Sequence, residues 1–344
     1  MKKATLVVSK YLQNNSIFDD KAHRDNIFDR FLKLKDEFDK HGYDLSTDDI
    51  NKIEDSEIII YASNMPSVLP KIDDIKKSYI ILSESAFIRP DNYDINKHKY
   101  FKKIFTWADD LVDSKKYFKL NYAHKFPQNI YKDLSNKEKL CTLISANKNP
   151  PHTNTNDLYS QRREAIRWFE HNHLEDFDLY GIGWDKYKFS GPKIIRVLNR
   201  TPYFPKLFAK LTGETYSSYK GMVDNKKQVM EKYKFSICYE NAKDITGYIT
   251  EKIFDSFFAG CVPIYWGANN IFEHVPKECF IDKRDFKTYE ELYTFIKNMS
   301  DDEYMKYLIN IENYLNSDVS LQFKSEGFAK TIINTIMEDK NDNN

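Results

Sequence analysis

Glycine, proline and cysteine are scarce in this chain of 344 residues, which contains 10 Gly, 11 Pro and 4 Cys. So little glycine and proline excludes a collagen-like or low-complexity chain. The 52 basic residues balance the 52 acidic ones, so a whole-chain attraction to nucleic acid or to an acidic membrane is not expected. The 24 Tyr, 24 Phe and 4 Trp suffice for hydrophobic cores and exclude disorder over most of the length. The length suggests about two domains.

The cysteines form no C-x-x-C pair, and no histidine spacing completes a zinc site. They are Cys141, Cys238, Cys261 and Cys279. Three of the four lie inside or beside apolar runs, which favours buried free thiols over a disulfide framework. Free thiols are typical of a reducing compartment.

Long hydrophobic runs are also missing. The apolar stretch 4–8 ends at Ser9 and Lys10, and a secretory signal needs a longer apolar region. The uncharged stretch 256–268 contains Gly260 and Pro263 and is too short to span a bilayer. We therefore expect a cytoplasmic protein, or one bound peripherally at the inner face of a membrane.

Short apolar runs alternate with charged stretches of helical period, which is typical of an α/β protein with parallel sheets. The pattern predicts strands over 5–8, 57–61, 79–82, 140–145 and 177–180, and helices over 21–41 and from a Ser160 cap to about His171. The polar segment 129–139 separates the two groups of elements, so we place a domain boundary there.

The clearest unit covers residues 235–266. It predicts a strand over 235–239, a helix over 250–259 and a second strand over 262–266. Thr250 is a suitable N-cap, and Gly260 ends the helix. Two buried strands joined by one helix form a right-handed crossover. The loop before the helix then lies at the carboxyl edge of a parallel sheet, where ligands bind in open α/β folds.

Cations occupy the first turn of two predicted helices, where the helix dipole disfavours them. Lys252 follows Thr250, and Arg162 and Arg163 follow Ser160. A solvated lysine and surface ion pairs of the arginines with nearby glutamates are the alternatives. An anionic ligand resolves both conflicts, because helix N-termini and guanidinium groups bind phosphate. Two such conflicts at sheet edges favour a nucleotide phosphate.

Three segments carry a family resemblance. They read YKFSICYEN at 233–241, GYITEKI at 247–253 and AGCVPIYWG at 259–267. Together they closely resemble the donor-binding domain of glycosyltransferase family 10, the α-1,3/4-fucosyltransferases that use GDP-fucose. The resemblance extends through FIDKRDF at 280–286. It is moderate over 140–185 and faint before residue 130.

The resemblance implies a GT-B fold, an α/β architecture with two Rossmann-like domains facing across a cleft. An N-terminal acceptor-side domain would cover 1–135, a C-terminal nucleotide-sugar domain 136–315, and a helix with a frayed tail 316–344, packing back on the first domain. The implied donor-binding residues are Arg162 or Arg163 and Lys252 for the diphosphate, Glu251 for the ribose, and Tyr248 and Asn241 for the guanosine and phosphate pocket. Arg162 is preferred to Arg163, because Ile166 and Phe169 then keep the apolar spacing behind it.

Family members carry a catalytic carboxylate in a Gly-Glu-Asn-like motif at the end of an N-terminal strand. The matching stretch here is ILSES, which places the carboxylate at Glu84 with Ser83 and Ser85 in the flanking positions. The departure from the motif leaves open that Glu84 is a loop carboxylate that caps the following turn.

The expected activity is inverting transfer of L-fucose from GDP-fucose to a glycan hydroxyl, with an α-1,3 linkage to GlcNAc or Glc in a lactosamine-type or surface polysaccharide acceptor. Cations would stabilise the leaving diphosphate and Glu84 would act as base. No cofactor and no essential divalent metal are expected. The alternatives are a GT-B enzyme for another nucleotide sugar and a catalytically silent nucleotide-sugar-binding protein. The oligomeric state stays open.

Other patterns are assigned structural roles. Asp176 and Asp178 spell D-x-D, a manganese motif in other transferases, but cationic side chains already serve the phosphates. His171 and His173 suit a helix end that favours cations. The basic, aromatic segment 184–221 is not expected to bind nucleic acid; we expect it to shape the acceptor cleft or to touch a membrane surface.

Overall fold

Two parallel β-sheets organise the chain in a computed structural model that describes residues 1–19, 27–150, 155–189, 191–201 and 203–341. The first sheet has the strand order β2-β1-β3-β4-β5-β6. The elements of this half are β1 (Lys2–Val7), α1 (Asp29–Lys40), β2 (Tyr43–Thr47), β3 (Ile58–Tyr61), β4 (Ser78–Leu82), α2 (Ile95–His98), β5 (Lys103–Thr106) and β6 (Tyr117–Lys119).

The first sheet is buried on both faces. Strand β3 consists of four consecutive apolar residues, all buried, as expected for the interior of a parallel sheet. Helix α1 covers one face with Phe31, Leu34 and Phe38, each at most 1% exposed. The spacing of these residues puts them on one side of the helix, so the charged residues between them face solvent.

The second sheet has the order β12-β11-β10-β7-β8-β9, again parallel. The elements of this half are β7 (Lys139–Ile144), α3 (Tyr159–Asn172), β8 (Phe177–Tyr180), α4 (Lys193–Arg196), α5 (Phe204–Thr212), β9 (Tyr219–Gly221), α6 (Lys226–Met230), β10 (Tyr233–Tyr239), α7 (Glu251–Phe258), β11 (Val262–Trp266), β12 (Ile281–Asp282), α8 (Tyr289–Asn298) and α9 (Asp301–Leu315). The predicted β10-α7-β11 crossover is confirmed, since β10 and β11 pair in parallel.

The C-terminal helix α10 (Ser325–Asn341) returns to the first sheet. Phe328 packs edge-on against Phe31 of α1 at 5.6 Å between ring centroids, and the Tyr79 hydroxyl donates to Asp339 at 2.9 Å. The first sheet ends at Lys119 and the second begins at Lys139. The predicted boundary at 135 lies between them.

One local prediction needs correction. Helix α3 begins at Tyr159, so Ser160 is not its cap; the Asp157 carboxylate instead accepts the N–H groups of Tyr159 and Ser160 at 2.8 and 3.1 Å. An aspartate two residues before the helix satisfies the same free N–H groups that a serine cap would. Helix α1 covers Asp29–Lys40, and residues 20–26, where the predicted helix begins, lie outside the described residues.

The four cysteines are buried and free, as predicted. Among the described residues, no helix combines the length and the hydropathy needed to cross a bilayer.

Candidate active site

A cavity of about 360 Å³ opens where the carboxyl ends of strands from both sheets meet. Glu84, which follows β4, and Tyr122 reach it from the first half. From the second half it is lined by residues after β7, β8 and β10 and by the start of α7. The carboxyl ends of parallel strands are where ligands bind in open α/β folds, so this cavity is the candidate active site.

The first turn of α7 is held by a buried carboxylate. Glu240, 0% exposed, accepts the Thr250 N–H at 2.8 Å, the Thr250 hydroxyl at 2.6 Å and the Lys252 ammonium at 3.1 Å. Thr250 is therefore the N-cap by position, but its hydroxyl is committed to Glu240 and does not cap the helix. Glu240 thus compensates the lysine that the helix dipole disfavours.

Lys252 also bonds the Thr250 hydroxyl at 2.8 Å and Glu251 at 3.2 Å. Burial opposes its charge, yet Glu240 and Glu251 raise the pKa of Lys252 above the ordinary lysine value. Burial likewise opposes the charge of Glu251, but the cations Lys252 and Lys226 hold the pKa of Glu251 well below its ordinary value. At neutral pH the floor of the cavity therefore carries a fixed ammonium beside a carboxylate.

The side chains of the two neighbouring arginines occupy different environments. Arg162 is buried and lines the cavity, where its Nε and Nη2 donate to the Tyr239 carbonyl at 3.1 and 2.6 Å, and Nη2 also donates to Asn241 at 3.1 Å. Within the described residues no hydrogen bond uses its Nη1. Arg163 does not line the cavity and bonds the Lys148 carbonyl at 2.8 Å and the Asn149 side chain.

Asn241 and Tyr248 form one unit beside Arg162. The Asn241 amide accepts from Arg162 and donates to the Tyr248 hydroxyl at 3.2 Å. The buried Tyr248 ring packs on Trp107 of the first half, with 4.8 Å between centroids. Burial raises the pKa of the Tyr248 phenol well above its ordinary value, so it stays neutral and can donate a hydrogen bond.

Glu84 faces this group from the first half. Its N–H donates to the Asn64 carboxamide at 3.1 Å, and its carbonyl accepts from Asn92 at 3.0 Å. The buried Asn92 also donates to Asn64 at 2.6 Å, which links the two amides. These bonds hold the backbone, and no hydrogen bond to the Glu84 carboxylate occurs within the described chain. Glu84 lines the cavity, and no hydrogen bond within the described residues gives its carboxylate a local capping role.

Burial raises the pKa of Glu84, the nearby Lys252 ammonium lowers it, and the Glu251 carboxylate raises it further. The net direction is upward. The side chain is therefore a better proton acceptor than an ordinary glutamate.

Hydrogen bonds connect the loop before α7 to the first half. Asp109 accepts Asn270 at 2.9 Å and His274 at 3.2 Å from the second half, and also Lys119 from its own half. Asn270 in turn accepts the Gly247 N–H at 2.8 Å. A Cβ on Gly247 would lie 2.4 Å from the Trp107 carbonyl, and its φ of +77° favours glycine. Gly247 therefore allows the close approach of the two halves at the cavity.

The structure brings together Glu84, Arg162, Asn241, Tyr248, Glu251 and Lys252, all of which line the cavity, and leaves Arg163 outside. Their individual roles stay predictions. Sequence reasoning missed Glu240, Tyr122, Lys148 and Lys226. The sequence could have indicated Glu240. It directly follows a buried strand and precedes a helix with a lysine in its first turn, and a buried carboxylate needs such a cation as a partner.

The D-x-D aspartates point to separate partners. Asp176 accepts Tyr293 at 2.7 Å and Lys297 at 2.6 Å, whereas Asp178 accepts Tyr233 at 2.6 Å. His173 stacks on Tyr293 with 3.5 Å between ring centroids. Both aspartates thus have structural partners in the second half. That no divalent metal is essential stays a prediction.

The second half matches a known family model. Residues 196–332 match the model described as glycosyltransferase family 10 (fucosyltransferase) C-term. The α-(1,3)-fucosyltransferase FucT of Helicobacter pylori is 39% identical over 75 residues, which are 22% of this chain and 16% of that protein. The α-(1,4)-fucosyltransferase of Arabidopsis thaliana is 40% identical over 73 residues, 21% of this chain and 18% of that protein. The matched segments thus span less than a fifth of these two relatives.

Solved structures match nearly the whole chain. A crystal structure of an α1,3-fucosyltransferase has a TM-score of 0.59 at 16% identity, covering 98% of this chain and 90% of that one. An α-glucosyltransferase in complex with UDP-glucose and DNA has a TM-score of 0.52 at 12% identity, covering 98% of each chain. The predicted GT-B architecture of two α/β domains is confirmed. Over residues 196–332, the chain is therefore similar to glycosyltransferase family 10, the fucosyltransferases.

Proposed function

We propose that this protein is an inverting fucosyltransferase that moves L-fucose from GDP-fucose to a hydroxyl of a glycan. One observation carries the proposal: a single cavity is lined by a carboxylate of the first half, Glu84, and by two cations of the second half, Arg162 and Lys252. The match of residues 196–332 to the fucosyltransferase family model supports fucose as the sugar and GDP as the leaving group.

The cations would act on the leaving group. Departure of GDP concentrates negative charge on the β-phosphate, and pre-oriented donors are generally the largest catalytic contribution to such a step. Lys252, the free N–H groups at the start of α7 and Nη1 of Arg162 would supply it. Glu251 would bind the ribose hydroxyls, and Asn241 with Tyr248 would line the guanosine and phosphate pocket.

Glu84 would take the proton from the acceptor hydroxyl. Glu84 lines the cavity from the first half, Arg162 and Lys252 line it from the second, and the pKa of Glu84 is raised. A carboxylate on the face opposite the leaving group supports in-line attack, which converts a β-linked donor into an α-fucoside. Such a base contributes about 10²–10⁴-fold to the rate.

The acceptor would approach from the first half. A larger cleft of about 680 Å³ lies there beside the carboxyl ends of β1 and β3 and includes Arg89, whose charge acts on Glu84. We propose GlcNAc or Glc in a lactosamine-type or surface polysaccharide as acceptor and an α-1,3 linkage. The names of the Helicobacter relative and of the mouse 4-galactosyl-N-acetylglucosaminide 3-α-L-fucosyltransferase 9 support this linkage. The plant α-(1,4) relative keeps α-1,4 as the alternative.

A second candidate donor is another nucleotide sugar. Solved structures with the same fold, such as a complex with UDP-glucose, support it. In either case we propose a cytoplasmic enzyme that requires no divalent metal, because its own cations would neutralise the diphosphate.

The test is to incubate the protein with GDP-fucose and a panel of glycans, measuring GDP release and product mass with and without EDTA. A fucosylated product that persists in EDTA supports the proposal. Product from UDP-glucose but not from GDP-fucose would establish the second candidate instead. GDP binding without any product would indicate a silent nucleotide-sugar-binding protein.

A further inference from the structure

The connection between β8 and β9 carries an unusual surface. Its helix α5 buries Pro205 and Ala209, and Phe208 packs on Tyr187 and Phe189 at 4.7 and 5.1 Å between ring centroids. The inward face of α5 is thus already packed. Residues 181 and 182, where the connection begins, line the candidate active-site cavity.

The outward face of α5 is also apolar. Phe204, Leu207 and Leu211 repeat at helical spacing, and the last two are 56% and 75% exposed. Tyr203 adjoins them and is 81% exposed. An exposed apolar stripe on a helix whose inward face is already packed marks an interaction site, so the stripe is expected to have a partner.

The preceding segment extends this surface. Ile194, Ile195 and Val197 are all exposed, Ile194 to 81%. We use the name basic apolar patch for these three residues together with Tyr203, Phe204, Leu207, Leu211 and the cations Lys193, Arg196, Arg200, Lys206 and Lys210. Segment 193–212 contains no Asp or Glu. A chain of zero net charge therefore concentrates five cations around exposed leucine and isoleucine side chains.

We propose that the basic apolar patch docks on the surface of an anionic lipid bilayer. Interfacial helices of this kind bury leucine and aromatic side chains at the boundary between headgroups and acyl chains while lysine and arginine contact anionic headgroups. On α5, Lys206 and Lys210 flank the apolar stripe on its exposed side. Lys206 also pairs with Asp185, which lies outside the patch, at 2.7 Å.

Charge complementarity selects this partner. A second copy of the chain, related by two-fold symmetry, would bring the same five cations against five more, and like charges in contact are unfavourable. Isoleucine and leucine side chains offer a glycan no hydrogen bonds. An anionic bilayer can pair its headgroups with the cations and bury the apolar side chains at the acyl-chain boundary. This inference is independent of the proposed transfer reaction.

The experiment is flotation of the whole protein, without donor or acceptor, with vesicles of phosphatidylcholine alone or mixed with phosphatidylglycerol. We expect it to bind the mixed vesicles, and the binding to weaken as salt is raised. Arg196→Gln with Lys210→Gln should lower the partition coefficient about 30-fold, since each cation near such a surface gives about fivefold. Leu207→Ser with Leu211→Ser should lower it at least about tenfold.

Matched control variants are Lys306→Gln with Lys330→Gln and Val319→Ser with Leu321→Ser, which change exposed residues away from the patch. They should bind mixed vesicles like the wild type. Failure of the wild type to bind mixed vesicles, or an equal loss in the control pairs, would overturn the proposal. So would a dimer in sedimentation without lipid that only the patch variants dissociate, because a second copy would then cover the surface. GDP affinity should not change in the patch variants.

Discussion

The two halves of the cavity are built in opposite ways. The second half presents charges that compensate one another before any ligand arrives: Glu240 neutralises Lys252, and Arg162 is held by the Tyr239 carbonyl and Asn241. The first half presents one carboxylate, Glu84, whose hydrogen bonds are made by its backbone alone in the described chain. One half is a rigid electrostatic framework, and the other positions a single reactive group.

This difference matches the chemistry proposed for each side. A leaving diphosphate is stabilised best by donors that need no reorganisation, which a network of buried ion pairs provides. A base must stay free to accept a proton, and a carboxylate with several strong donors would have its pKa lowered. Each of the following variants changes a residue in one half of the cavity and leaves the other half unchanged.

The largest effect should come from Glu84→Gln. If Glu84 is the base, the transfer rate falls by about 10²–10⁴, while the Kd for GDP stays the same because the residues proposed to bind the phosphates belong to the other half. Product formation from GDP-fucose and calorimetric titration with GDP measure the two quantities. Asp73→Asn, an exposed carboxylate elsewhere in the first half, is the control. An unchanged rate in Glu84→Gln would place the base elsewhere.

The second largest effect is expected from breaking the Glu240–Lys252 ion pair in the second half. Glu240→Gln removes the buried counter-charge of Lys252 and should lower the free energy of unfolding by about 3 kcal/mol, measured by urea unfolding. GDP should then restore more stability to the variant than it adds to the wild type, because its phosphates replace the missing negative charge. The exposed Glu164→Gln is the control. A loss no larger than in this control would show that Glu240 does not support Lys252.

The third prediction compares Arg162 with its neighbour Arg163 and tests which of the two contacts the phosphates. Arg162→Lys should weaken GDP binding about 10–100-fold, because a lysine cannot hold the Tyr239 carbonyl and a phosphate oxygen with one rigid fork. Arg163→Lys should leave the affinity unchanged, since Arg163 lies outside the cavity and bonds the 148–149 loop. Equal losses in both variants would contradict the assignment of the phosphate contact to Arg162.

The smallest effect is a pH dependence of stability carried by Glu84. Because its pKa is raised in the folded state, the folded protein binds this proton more tightly than the unfolded chain. Its contribution to stability is therefore greatest at low pH and declines as pH rises from about 4, the ordinary value, through the raised pKa. Above that range Glu84→Gln should be more stable than the wild type, and below it the difference should vanish.

Thermal unfolding across pH measures this difference. The acidic limb of kcat/KM should lie above the ordinary glutamate pKa for the same reason. A variant less stable than the wild type at neutral pH would show that the Glu84 carboxylate has a stabilising partner.

Sequence reasoning worked best where the signals are local. Strands β8 and β11 were predicted to the residue, and Thr250 was correctly assigned as the N-cap of α7, because short buried strands and helix boundaries are read from adjacent residues. Ser160 was assigned wrongly, because Asp157 satisfies the same N–H groups from outside the helix. Strand β2 was not predicted, since its mixed residues YDLST become a strand only by pairing with β1.

Within the candidate site, the sequence nominates Arg162 and Arg163 and favours Arg162 from the apolar spacing behind it, but it cannot show where either side chain ends. Adjacent residues on a helix project about 100° apart, and which of them reaches the cavity depends on the strand that α3 packs against. The resemblance likewise nominated Glu84, but its position opposite Lys252 depends on how the two halves meet.

By itself, the amino-acid sequence determined the α/β class, the crossover around α7 and the types of charged group available for a phosphate, because periodicity, capping residues and motif spacing act over a few residues. Only the tertiary structure decided that Glu240 neutralises Lys252, that Arg162 is held by the Tyr239 carbonyl beside the cavity, and that α5 turns leucines outward. These outcomes depend on burial and on contacts between segments far apart in the chain, and the free energy of a charge is set by those surroundings.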